Sequence, residues 1–200
     1  MEFFMEIGKL KNIERSGWIV EGVKSPESVA DHSFRTAFIA LVLAKGREDI
    51  DPHKAVEMAL VHDIAESQIG DILVDWKIKA HGEEKVSRLT KKGVHGVPQQ
   101  EKLRREKEGM EKLVSLLGDK GNKYRDLWEE FEAGKSGEAK FVKSVDTFEM
   151  FLQAFEYEEA QEGIDISAWF DHKQNWDNVK DEQIRTLLLK IVEKRKLRGK

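Results

Sequence analysis

"ALVHDIAESQIGDI", residues 59–72, sets His62, Asp63, Glu66 and Asp71 into a segment that is otherwise mostly apolar. Residues 55–65 are apolar almost all round, the mark of a helix buried inside a bundle. Burying charge in such a helix costs free energy unless the groups are paired or coordinate a metal. On a helix, His62 and Glu66 lie four apart and share a face, and Asp63 follows about 100° round from His62. Gly70 then permits a turn directly before Asp71. The stretch therefore predicts a helical core with a site built into it.

Working outward, most of the chain repeats the helical period, and only three prolines interrupt it. Upstream, Asp51-Pro52 starts the helix that runs into this stretch, and Ser25-Pro26-Glu27 starts another that stops near Gly46. Phe3, Phe4, Ile7 and Leu10 mark a first helix, broken at Gly17 in "ERSGW". Downstream, residues 73–98 are polar and partly basic with poor periodicity, and predict a long loop. It reads as a solvated insertion, with attraction of an anionic substrate by its lysines as the alternative. Helices are predicted over "QQEKLRREKEGMEKLVSLLG", over 122–133, over 137 to about 161 and over about 181–197. In the helix from 137, Phe141, Val145, Phe148, Leu152 and Phe155 give the expected core face. "ISAWFDHKQNWDNV" reads as a loop with a short helix. No strand ladder or internal repeat is evident, so the predicted class is all-α.

At 200 residues the chain suits a single domain. The charged fraction of 36% and the net charge of −4 describe a globular protein and argue against nucleic-acid binding driven by bulk positive charge. No stretch has the length of a membrane-spanning helix. The amphipathic N-terminus does not read as a signal peptide, so the expected location is cytoplasmic. There is no cysteine, which leaves His and carboxylates as metal ligands and excludes a cysteine-based phosphatase mechanism.

Two further polar residues lie in helices that read as buried. His32 shares a stripe with Thr36, Ile39 and Leu43, and Asp146 shares one with Val142 and Met150. A His, then His-Asp, then a distant Asp, spread over three helices, suits an octahedral metal site with two positions open to water and substrate. His53, His81, His95 and His172 lack a partner pattern and read as surface residues.

The pattern His32 … His62-Asp63 … Asp146 resembles that of the HD-domain metal-dependent phosphohydrolases. "ERSGWIVEGVKSPESVADHSFR", "RREKEGMEKL" and "LWEEFEAGKSGEAKFVKSVDTFEMFLQAFEYE" extend the resemblance to the HD-domain 5′-deoxynucleotidases, eukaryotic and archaeal branch, from about residue 8 to about 160. The resemblance implies a single HD-domain helical bundle, residues 1–200, with the long polar loop between its metal-binding helices. It implies one divalent ion (Mn, Co, Mg or another first-row metal) held by His32, His62, Asp63 and Asp146. Glu66 and Asp71 would position and deprotonate the attacking water and, with the backbone at Ile72, would also suit a second ion. Arg15 would contact the substrate phosphate, and Trp18 would stand against the sugar and disfavour a 2′-hydroxyl. The implied reaction is hydrolysis of 2′-deoxynucleoside 5′-monophosphates by a homodimer with a small-molecule nucleotide substrate. The residue types also leave open another nucleotide phosphoester (triphosphate, cyclic nucleotide or alarmone) and a non-catalytic nucleotide-binding regulator.

Overall fold

The computed structural model describes residues 1–75 and 96–198. Most of the predicted 73–98 loop, residues 76–95, lies outside the described residues, as do His81 and His95. The described residues are α-helical, with two isolated bridges and no strand, so the all-α class holds. None of the described helices is long and apolar enough to cross a membrane. The chain divides into two compact units, residues 1–31 with 63–125 and residues 32–62 with 126–198. The division runs through the dipeptide His62-Asp63.

The first unit opens with α1 (Glu2–Ile7), a 3-10 turn (Gly8–Asn12) and α2 (Ser16–Glu21). Here the sequence expectation is corrected: the break comes at extended Ile13, and Gly17 lies inside α2. Gly22 ends α2 in the left-handed region (φ 83°), where glycine carries no Cβ penalty. The Val23 N–H reaches back to the Trp18 carbonyl at 3.0 Å. The chain then pairs with itself, Arg15 N donating to Glu27 O and Val29 N to Ile13 O. That pairing explains a second correction. Residues 25–28 do not open a helix; Ser25 takes a left-handed φ of 56° before Pro26, which disfavours α geometry in its predecessor.

Helix α3 (Val29–Ala44) starts three residues later than the expected N1. Its cap is Ser28, whose Oγ accepts from Asp31 N and whose own N–H donates to the Asp31 carboxylate at 3.0 Å, a reciprocal capping box. Later in this unit come α5 (Glu66–Ile69) and α6 (Gln99–Ser115). They pack so tightly that a Cβ on Gly109 would stand 3.1 Å from the Ala65 carbonyl oxygen. At the ends of the 73–98 segment, Val97 N donates to Leu73 O and Asp75 N to Val97 O.

The second unit holds most of α3, α4 (Pro52–Val61), most of α7 (Asn122–Ala133), and α8 (Gly137–Ala160). The short helices α9 (Ser167–Asp171) and α10 (Lys173–Asp177) and the terminal α11 (Glu182–Leu197) follow. Three starts are capped as polar side chains dictate: Asp51 accepts from His53 N and Lys54 N, Ser136 from Ala139 N, and Asp181 from Ile184 N. Both α4 and α11 pack on α8. Its buried surface is therefore wider than one stripe: Val142, Thr147, Phe151 and Ala154 are buried, while Phe148, Leu152 and Phe155 of the predicted face are half-buried. Phe151 meets Phe170 and Trp176 edge-on.

Candidate active site

The predicted continuous helix through 55–66 is corrected at the site itself. Helix α4 ends at Val61, and residues 62–65 form a turn before α5. Glu66 N bonds to Asp63 O, Ser67 N to Ile64 O and Gln68 N to Ala65 O, the tighter i→i+3 winding of a 3-10 segment.

In the second unit, α3, the end of α4 and α8 bring His32, His62 and Asp146 together, with donor atoms within 4.8 Å of one another. His32 Nε2 is 3.1 Å and His62 Nε2 4.0 Å from Asp146 Oδ1, and the two rings stand 5.4 Å apart. The Nδ1 side of each ring is already engaged. His62 Nδ1 lies 2.7 Å from its acceptor, the Ala59 carbonyl, and His32 Nδ1 lies 2.5 Å from Glu149 Oε2. With Nδ1–H donating, Nε2 is the atom that can ligate. About 3 Å between neighbouring ligands is the spacing of adjacent octahedral positions at a bond length of about 2.1 Å. The three residues therefore fit a first-row divalent ion.

Glu149 and Arg35 are not among the residues singled out in the sequence. Glu149 is wholly buried, and Arg35 donates to it from Nε at 2.8 Å. Burial pushes the Glu149 carboxyl upward, but His32 and Arg35 outweigh burial and hold it below the usual carboxylate range. The signal was there to read. Arg35 follows His32, and Glu149 follows Asp146, by three residues, one turn along the same helices.

In the first unit, Arg15, Asp63, Glu66 and Asp71 form an acidic cluster about one guanidinium. Arg15 donates to Asp63 Oδ2 at 2.8 Å and lies 3.9 Å from Glu66 and 3.9 Å from Asp71. Asp63, next in the chain to His62, thus turns its carboxylate to Arg15. Asp71 is tied down by Ser16, whose N–H donates to its carboxylate at 2.8 Å and whose hydroxyl donates to its backbone carbonyl at 2.6 Å. Ile72 follows, half-buried.

Glu66 is 2% exposed. Burial above all, then Asp63 and Asp71, raise its carboxyl well above the usual range, against the pull of Arg15 and Lys102. Lys102 of α6 is ion-paired with Glu106. Burial pulls its ammonium down, but Glu106, Glu66 and Asp63 more than offset that and hold it above the ordinary lysine range. Lys102 sits in a run of helix charges and could not be told from surface lysines in the sequence. Trp18 is 1% exposed and its indole N–H donates to Glu27 at 2.9 Å. Of the remaining histidines, His53 is exposed and His172 half-buried.

An all-helical fold carrying a His/His/Asp cluster able to hold a metal ion, with an acidic cluster on an adjoining stretch of sequence, defines the class of metal-dependent α-helical hydrolases. Residues 7–185 match the HD-domain family model. The chain is 40% identical over 162 residues to the 5′-deoxynucleotidase HDDC2 of Bos taurus, covering 80% of this chain and 69% of the relative. It is 37% identical over 182 residues to the 5′-deoxynucleotidase HDDC2 of Dictyostelium discoideum, covering 86% of each. A conserved hypothetical protein from Pyrococcus furiosus superposes with a TM-score of 0.71 at 28% identity, covering 96% of this chain and 98% of that one. The chain belongs to the HD-domain family, among the relatives named 5′-deoxynucleotidase HDDC2.

Proposed function

We propose that the chain is a metal-dependent 5′-deoxynucleotidase that hydrolyses 2′-deoxynucleoside 5′-monophosphates to deoxynucleoside and phosphate. The observation that carries this reading is the convergence of the His32 and His62 Nε2 atoms on Asp146, in a member of a family whose relatives bear that name. His32, His62 and Asp146 would hold one divalent ion, and Asp63 would join them by turning its carboxylate from Arg15. The all-nitrogen-and-oxygen donor set suits Mn, Co or Mg, or another first-row metal. Bound there, such an ion supplies charge that lowers the pKa of water and binds a phosphate oxygen.

The chain's own groups do the rest. Glu66, made more basic by burial, takes the proton of the attacking water. Asp71, fixed by Ser16, orients that water, and the pair with the Ile72 carbonyl suits a second ion. Arg15 exchanges part of its carboxylate partnership for the substrate phosphate, whose geometry its fork matches. Trp18, buried as it is, bears on the sugar chiefly by holding the segment that carries Arg15.

The family match over 7–185 supports treating residues 1–200 as one functional domain. A homodimer accompanies this reading, supported by the exposed Phe34, Phe38, Leu41 and Val42 on one side of α3. So does a cytoplasmic site of action, where nucleoside monophosphates are found. The test is a phosphate-release screen of dAMP and AMP with Mn²⁺, Co²⁺ and Mg²⁺, repeated with Asp63→Ala. The reading expects phosphate from dAMP in excess of AMP, lost in the variant. Equal rates on both sugars would overturn the sugar selectivity. Pyrophosphate or triphosphate release from longer substrates, with none from dAMP, would move the enzyme to another nucleotide ester. Binding of dAMP without turnover would make it a regulator.

A further inference from the structure

Burying a carboxylate is costly unless it is paired, and Glu149 is paired on both sides. One oxygen meets His32 Nδ1 at 2.5 Å, and the other receives the Arg35 Nε–H at 2.8 Å. Arg35 extends the chain of contacts along α8, donating to Gln153 at 2.6 Å and to Glu156 at 2.6 Å. Glu149, Gln153 and Glu156 are spaced four and three apart, so one face of α8 converges on a single guanidinium. His62 is supported differently, by the backbone carbonyl of Ala59. At His32 the Nδ1 support is a carboxylate.

We infer that Arg35 and Glu149 are the positioning pair of the metal centre, Glu149 aiming and strengthening the His32 ligand and Arg35 holding Glu149 in place. A carboxylate accepting Nδ1–H fixes the ring orientation, selects the tautomer with its lone pair on Nε2, and makes that nitrogen a better donor. Arg35, bonded to the other carboxylate oxygen at 2.8 Å, restrains rotation of the Glu149 side chain. Both residues act through the His32 ring. The inference rests on the metal site proposed above.

The test is calorimetric titration of Mn²⁺ into chelator-stripped full-length protein, with folding checked by circular dichroism. Glu149→Ala is expected to weaken Mn²⁺ binding by about 10–100-fold. Arg35→Met should weaken it in the same direction by a smaller factor. Glu156→Gln, at the exposed end of the network, should stay within about twofold of wild type. A merely structural role would not move a second readout. In Zn²⁺-loaded protein, the low-field His32 Nδ1–H proton resonance should be present in wild type and absent in Glu149→Ala. Folded Glu149→Ala with unchanged Mn²⁺ affinity overturns the inference while leaving the metal site standing. Should that variant not fold, unchanged affinity in folded Arg35→Met overturns it equally. Wild-type protein that takes up no Mn²⁺, Co²⁺ or Mg²⁺ overturns the metal site and this inference together.

Discussion

Replacing Arg15 with methionine removes the guanidinium that stands 2.8 Å from Asp63, and the size of the effect follows from the geometry. The guanidinium lies 2.8 Å from Asp63 and 3.9 Å from both Glu66 and Asp71. At 3.9 Å and an effective dielectric constant of about 20, each of the two longer contacts is worth about 4 kcal/mol of attraction. Arg15's own desolvation offsets much of this. Breaking a buried pair by removing one partner costs about 3–5 kcal/mol, and with side chains 11–16% exposed at Arg15, Asp63 and Asp71 the lower figure applies. At about 2–4 °C per kcal/mol for a chain of this size, metal-free Arg15→Met should melt about 6–12 °C below wild type at pH 7.5.

The sign of the pH dependence follows from what Arg15 attracts. Its stabilisation requires ionised carboxylates, so it is present at neutral pH and lost as pH falls. Glu66, whose carboxyl burial holds above the usual range, takes up a proton first. Near pH 4, with Glu66 protonated, the gap between the two proteins should narrow by the Arg15–Glu66 contribution. The assay is melting by circular dichroism at both pH values. An unchanged midpoint at pH 7.5, or the same drop at both pH values, would refute the electrostatic account of the cluster.

Other changes separate the roles of neighbouring residues. Glu66→Gln should reduce phosphate release by at least about 100-fold. Because native Glu66 holds its proton more tightly than the unfolded chain does, wild-type metal-free stability falls as pH rises from the ordinary glutamate range to the raised native one. Glu66→Gln should flatten that fall and melt higher than wild type at pH 7.5. Asp146→Asn, which keeps shape but removes the charge facing both imidazoles, should abolish stoichiometric Mn²⁺ uptake in equilibrium dialysis with little loss of helix content. Gly109→Ala gains about 1 kcal/mol of helix propensity. Its Cβ would, however, meet the Ala65 carbonyl at 3.1 Å and Ile69 Cγ2 at 3.2 Å, an overpacking cost of about 1–3 kcal/mol that exceeds the gain, so a net loss of up to about 2 kcal/mol should appear in urea denaturation. A gain there would mean that α5 shifts freely against α6.

Much of this was legible in the chain because the signals were local. Asp51-Pro52 marked the start of α4, and the helical period marked α6, α8 and α11. The convergence of His32, His62 and Asp146 was also anticipated, since each is a polar residue on an apolar stripe. What escaped was non-local or had no period. The pairing of Arg15 with Glu27 and of Ile13 with Val29 turned "KSPE" into a left-handed bend and let α2 run through Gly17, and periodicity carries no sign of such a contact. The turn over 62–65 lies in a stretch apolar on every side, so no change of phase announced it. The α8 face was read one-sided because its two packing partners, α4 and α11, lie far away in sequence. Glu149 and Arg35 look like solvated charges until their shared three-residue offset from a ligand is noticed.

The most direct measurement is anomalous diffraction from crystals grown with Mn²⁺. The account predicts a peak about 2.1 Å from His32 Nε2, His62 Nε2 and an Asp146 carboxylate oxygen. An absence of density there in protein that releases phosphate from dAMP, or a peak elsewhere in the molecule alone, would contradict it.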